Sequence, residues 1–135
     1  MGSKKTKIGK KACVKLAREL ARTTGVCAFC GKTKDEVQIQ AAHIIPEDHH
    51  WTSFNLDNMI ELCASHHKWS RDSWHKHPLL MSGWFMKQFP GRWQMLQDYT
   101  KVMVDTYGPT PNWPEVMQML KEIKKARKKE EKNGK

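Results

Sequence analysis

The stretch that most constrains this chain is a pair of spaced sulfur and imidazole donors. Cys27-Ala-Phe-Cys30 and Cys63-Ala-Ser-His66 each have two residues between their donors, and 32 residues separate the pairs. Donors so spaced can close on one tetrahedral ion, and three thiolates with one imidazole are a zinc set. A span of about 40 residues buries too little apolar surface to offset its chain entropy, so it needs a metal or a disulfide as a staple. The sequence shows neither a leader-like segment nor a long apolar run, so a reducing cytoplasmic setting is expected, where thiols hold metal in preference to pairing. Structural Zn²⁺ on Cys27, Cys30, Cys63 and His66 is therefore the expected staple. The remaining cysteine, Cys13, reads as a small buried hydrophobe on a helix.

Two histidines are left when that set is filled, His43 and His67. If His66 and His67 share a helical turn, their side chains diverge by about 100°. One then faces zinc while the other faces away, toward the strand that carries His43. The expected result is a second, open site beside a closed structural one.

The run His43-Ile-Ile-Pro46, then Asn58-Met-Ile-Glu-Leu-Cys63, then His66-His67-Lys68 resembles the HNH, or ββα-metal, endonucleases, particularly the small zinc-stapled phage type. The resemblance covers residues 27 to about 71. Beyond it, Pro78 to Leu96 with its Trp84-Phe85 pair looks like the helical tail of the NinG-type phage recombination endonucleases. The resemblance implies an α+β fold, a zinc-stapled ββα-metal (HNH) motif surrounded by α-helices. It also implies that His43 is the general base that takes a proton from the attacking water. A neutral imidazole suits that task because its ordinary pKa, about 6.5, leaves it unprotonated at cellular pH. Asn58 matches the asparagine that fixes the loop around the base. His67 matches the last ligand of a catalytic divalent ion, Mg²⁺ or Mn²⁺ with Zn²⁺ or Ni²⁺ as alternatives, which stabilises charge on the phosphoryl and leaving oxygens. In one respect the chain departs from the pattern. Where the family often places a metal-binding Asp or His before the base, this sequence has Ala42. Glu47, Asp48, His49, His50, His75 and His77 are the nearby residues that could fill in.

The rest of the chain divides around this motif. Residues 1–25 read as a basic arm and helix, 26–73 as the zinc-stapled core, 74–108 as a Trp/Met-rich helical wall, and 109–135 as a Pro-rich linker and basic C-terminal helix. Residues 1–22 hold eight Lys or Arg against one acid and residues 121–135 hold eight against three, so most of the formal charge of +10 sits at the two ends. Such charge points to a polyanionic partner. Ile8, Ala12, Leu16 and Leu20 recur at helical spacing, with Lys11, Lys15, Arg18 and Arg22 on a neighbouring face as candidate phosphate contacts. Val37 to Ala42 alternates with period two, which predicts a strand delivering His43 at its end. Met59 to Leu62 predicts a second strand, with Ile60 and Leu62 facing inward. A helix over 65–73 would place Lys68 and Arg71 one turn apart beside the metal. Trp51 is expected to pack against the motif. The aromatic and Met residues of 74–108 predict two helices broken at Pro90-Gly91. Val116, Met119, Leu120 and Ile123 predict a last apolar stripe, followed after Lys124 by a frayed charged tail. That stripe could instead pair two copies of the chain.

The expected activity is metal-dependent hydrolysis of DNA phosphodiesters, leaving 3′-hydroxyl and 5′-phosphate ends. A zinc-stapled DNA-binding module with weak or absent catalysis is the alternative, serving a phage recombination, replication or packaging machine in the host cytoplasm. DNA is the expected partner in both, and no membrane is.

Overall fold

The computed structural model describes residues 8–133. The basic arm read from Met1 to Lys7 lies outside them. Four α-helices surround a two-stranded antiparallel sheet: α1 (Lys10–Ala21), β1 (Ile39–His43), β2 (Met59–Cys63), α2 (Pro78–Gln88), α3 (Pro90–Tyr107) and α4 (Trp113–Asn133). No helix among the described residues is long and apolar enough to cross a membrane.

The sheet is short, and its register sets everything near it. Ile39 pairs with Cys63 and His43 with Met59, so the end of β1 that carries His43 is remote from the zinc-binding end of β2. Every residue of β2 is buried, Met59, Glu61 and Cys63 as well as the expected Ile60 and Leu62. The reason is that apolar clusters cover both faces. Ala41 and Met59 join Cys13, Ala17 and Leu20 of α1 and Val116 and Leu120 of α4 in one. Ala42, Ile60 and Leu62 join Cys27, Cys63, Met81, Phe85 and Leu96 in the other. Each fully buried Leu, Phe or Met contributes about 1.5–3 kcal/mol, so packing of the helices contributes to holding the sheet. Glu61 is the charged exception on β2. Its carboxylate accepts from the Thr24 and Gly25 N–H groups and the Thr24 hydroxyl at 2.8–3.0 Å. Burial would raise its pKa, but these bonds outweigh burial and hold it below the usual carboxylate range,.

Three expectations are corrected. The helix over 65–73 is a single π-helical turn, Ser65–Trp69. Serines explain the stop: Ser70 Oγ accepts from Asp72 N–H and Ser73 Oγ from Lys76 N–H, each at 3.1 Å, offering the backbone an alternative to helix. The charged tail does not fray after Lys124. Helix α4 runs to Asn133, as its Glu, Lys, Arg and Ala favour, and the Arg127 guanidinium caps the Leu20 carbonyl at the end of α1. The stripe on α4 is consumed within the chain, with Val116, Met117 and Leu120 buried against α1 and the sheet while Met119 is exposed.

The Trp/Met-rich segment forms two helices parted at Phe89, each opened by a proline. Met81, Phe85 and Leu96 are fully buried, while Met86, Met95 and Val102 face solvent, so only part of the aromatic and Met stripe is core. Trp51 packs as expected, its indole donating to the Gly108 carbonyl at 2.8 Å.

Candidate metal centre and active site

The first centre begins with a turn. Gly31 adopts φ +80°, a conformation that side-chain-bearing residues avoid. It lets the chain reverse after Cys30, with Gly31 N–H donating to the Cys27 carbonyl at 2.9 Å and Cys27 N–H to the Lys32 carbonyl at 2.8 Å. Cys63 and His66 arrive from the end of β2 and the π turn. The four donor atoms of Cys27, Cys30, Cys63 and His66 lie within 4.8 Å of one another. Cys30 Sγ and Cys63 Sγ are 3.9 Å apart, far beyond a disulfide bond but close to the roughly 3.8 Å edge of two thiolates each about 2.3 Å from one zinc. His66 turns Nδ1 to within 3.2 Å of Cys63 Sγ. The donor set fits zinc. Cys13 is not part of it: the thiol is buried on α1 and donates to the Trp113 carbonyl at 3.4 Å.

Beside this centre lies an open cleft of about 620 Å³, lined by His43, His67, His75, Arg18, Arg22, Lys68 and Glu47, among others. His43 sits half-buried at the end of β1, its Nε2 2.7 Å from the Ser53 carbonyl oxygen. A carbonyl only accepts, so Nε2 carries the proton and Nδ1 keeps the lone pair. Burial lowers the His43 pKa, the Ser53 carbonyl opposes it, and Arg18 and Lys10 add to the lowering. The imidazole is neutral near pH 7.

The loop that presents the Ser53 carbonyl is tied together by a buried asparagine. Asn58, fully buried, accepts from Ile45 N–H at 2.7 Å and donates to the Ile45 and Thr52 carbonyls at 3.0 Å. One side chain thus ties both arms of the 44–58 loop. Arg92 of α3 braces the base of that loop, donating to the Asp57 carbonyl at 2.6 Å and to the Met59 carbonyl. Asn58→Ala would leave the part-buried Ile45 N–H and carbonyl unpartnered at about 1–3 kcal/mol each, while the Thr52 carbonyl keeps the Asn55 N–H. Urea unfolding should show a loss of about 3 kcal/mol, and a loss below about 1 kcal/mol would mean that the loop is held by other contacts.

His67 leaves the π turn on the side away from His66. Its Nδ1 meets Gln40 Oε1 at 2.7 Å, and Gln40 Nε2 is in turn committed to Gln38 Oε1 at 3.1 Å. The amide orientation makes His67 Nδ1 the donor and leaves Nε2 with its lone pair, the form that binds a metal. Burial, then the neighbouring His75, Lys68, Arg18 and His43, push its pKa down to about 4.

The candidate phosphate contacts separate. Arg18, Arg22 and Lys68 line the cleft, and Arg18 pairs with Glu47 across it. Lys11 and Lys15 are exposed on α1 outside the cleft. Arg71 also lies outside it, 92% exposed with Asp72 at 3.8 Å. Its expected place beside Lys68 depended on a helix that the π turn replaces. Ala42 is fully buried in the apolar cluster under the sheet and does not line the cleft. Sequence reasoning did not single out Gln40 or the Ser53 carbonyl. Gln40 looks like any polar residue of an alternating strand, and a backbone carbonyl has no sequence signature.

A family model described as HNH endonuclease matches residues 27–74, from the first zinc-binding cysteine to the end of the turn that follows His67. Over that segment the chain is similar to HNH endonucleases, and the segment carries the Cys3His cluster that can bind zinc. The match spans little more than a third of the chain and stops before α2. No curated protein and no solved structure matches the chain.

Proposed function

We propose that the chain is a divalent-metal-dependent endonuclease that hydrolyses DNA phosphodiesters with His43 as general base, leaving 3′-hydroxyl and 5′-phosphate ends. The observation that carries this reading is the pinned tautomer of His43: with Nε2–H given to the Ser53 carbonyl, Nδ1 is the free base in a cleft shared with His67 and three cationic side chains. A neutral imidazole at the cleft wall can take a proton from water, and the Ser53 carbonyl and Glu47 stabilise the imidazolium that results. Arg18, Arg22 and Lys68 can hold the phosphate and the departing strand. These contacts position DNA without reading its sequence. A divalent cation at His67 would stabilise the charge that develops on the phosphoryl and leaving oxygens. Nitrogen is the main donor type in the cleft, with Glu47 its sole acid. That set favours Mn²⁺, Ni²⁺ or Zn²⁺ over Mg²⁺.

The products test the reading. Supercoiled plasmid nicked by the protein should be resealed by DNA ligase with no prior end repair. Nicks that need a phosphatase or kinase first would rule out the proposed chemistry. The pH profile tests the base. Its pKa is lowered, and only the neutral form accepts a proton, so kcat/KM should hold as pH falls to 6.5 and decline only below it,. An acid limb centred above pH 6.5 would assign the base to another group.

A further inference from the structure

The cleft presents His67 as a metal ligand but offers nothing from position 42, whose methyl is buried in the apolar cluster and does not line the cleft. We infer that His75 supplies the second protein ligand to the divalent cation of the cleft, an inference that rests on reading this cleft as the nuclease site.

The structure ranks the residues that could fill the gap. Asp48 and His49 are exposed and do not line the cleft. His50 packs edge-on against Trp113, its ring centroid 6.0 Å from the indole. His77 caps α2, Nδ1 accepting from Leu80 N–H at 3.1 Å. Glu47 does line the cleft, but its carboxylate is paired with Arg18. His75 remains. It lines the cleft, and its ring makes no hydrogen bond among the described residues.

The backbone holds His75 against His67. Trp74 N–H donates to the His66 carbonyl at 2.8 Å and His75 N–H to the His67 carbonyl at 3.0 Å. The turns that follow the π turn are thereby tied, at two successive residues, to the segment that carries the zinc-site His66. Trp74, buried in the apolar cluster with Phe85, anchors the tie from below. The His67 and His75 rings then stand 4.7 Å apart, centroid to centroid, at 84° to each other. Two imidazoles so disposed can turn one nitrogen each toward a shared ion at about 2.0–2.2 Å. His67 Nε2 is the free nitrogen of the first ring, and His75 has both available. The ion such a pair takes is a borderline divalent cation with several water or phosphate positions left open. The π turn explains the placement: a regular helix over 65–73 would carry residue 75 a further turn along the axis, away from residue 67.

The test is calorimetric titration of Ni²⁺ into the full chain with its zinc retained, comparing wild type with His67→Ala, His75→Ala, Glu47→Ala and the exposed His49→Ala. Zinc content and far-UV circular dichroism are recorded for each, and His75→Gln stands in if the alanine variant does not fold. Wild type and His49→Ala should bind one Ni²⁺ beyond zinc, and His67→Ala and His75→Ala should each bind about 10–100-fold more weakly. The Mn²⁺ concentration needed for half-maximal plasmid nicking should rise in parallel. Equal Ni²⁺ affinity in wild type and His75→Ala, or a loss confined to His67→Ala and Glu47→Ala, overturns the assignment. If the two histidine variants lose Ni²⁺ as expected but wild type nicks no DNA, the ligand pair stands and the nuclease reading falls.

Discussion

Cys63→Ser is expected to leave residues 27–74 without a stable fold. Structural zinc of this type contributes an apparent 10–16 kcal/mol or so at neutral pH, against a total stability of about 5–15 kcal/mol for an ordinary domain. Cys63 sits where that loss does most damage. It ends β2, pairs with Ile39, and precedes the π turn that carries both His66 and His67. Losing its thiolate frees the knuckle and the turn together, and with them the cleft wall formed by His67 and Lys68. Zinc content should fall from one per chain to none, and circular dichroism and protease resistance should fall with it. Cys13→Ser is the control, since that thiol is also fully buried but lies in an apolar cluster away from the zinc set, its hydrogen bond going to the Trp113 carbonyl. It should keep zinc and lose only about 1 kcal/mol. A Cys63→Ser protein that remains folded and protease-resistant would show that the two apolar clusters suffice without the metal.

His43→Ala should be the most damaging substitution for activity that leaves the molecule intact. General-base catalysis is worth about 10²–10⁴-fold, and the other cleft imidazole with a pinned tautomer and a free lone pair, His67, is read as a metal ligand. The change removes one hydrogen bond to the Ser53 carbonyl and little packing, so zinc content, fold and salt-sensitive DNA binding should persist. His43→Gln isolates the base further, because its amide can still donate to that carbonyl but cannot take a proton at neutral pH. Both variants should cut at rates lower by a factor of about 100 or more. Retained cleavage in either would move the base elsewhere in the cleft.

Much of this arrangement is legible in the sequence because it rests on short-range rules. The Cys-x-x-Cys and Cys-x-x-His pairs announce the zinc quartet, the alternating run before His43 announces a strand, and Pro90-Gly91 announces the break between two helices. The less legible features depend on what the chain meets in space. Both faces of β2 are buried because α1 and α4 approach from one side and α2 and α3 from the other, which no period within five residues encodes. The π turn follows from serine side chains competing for the backbone, and the apolar and charged pattern there mimics a helix. The juxtaposition of His67 with His75 runs through backbone bonds between residues eight apart, a spacing with no periodic signature. Gln40 acts through His67, which the π turn after β2 brings to it, and Ser53 acts through His43 once the 44–58 loop closes on Asn58.

The central claim is that two metal centres with different tasks lie side by side, a closed Cys3His staple and an open histidine cleft where DNA is cut. The most direct measurement is plasmid nicking by wild-type protein after mild chelation, with zinc per chain determined at each step and Mn²⁺ then added back. The expected result is one tightly held zinc throughout, no cleavage after chelation, and full recovery on adding Mn²⁺. Cleavage that persists with only the structural zinc present, or that never appears with any added divalent ion while zinc and fold are intact, would contradict it.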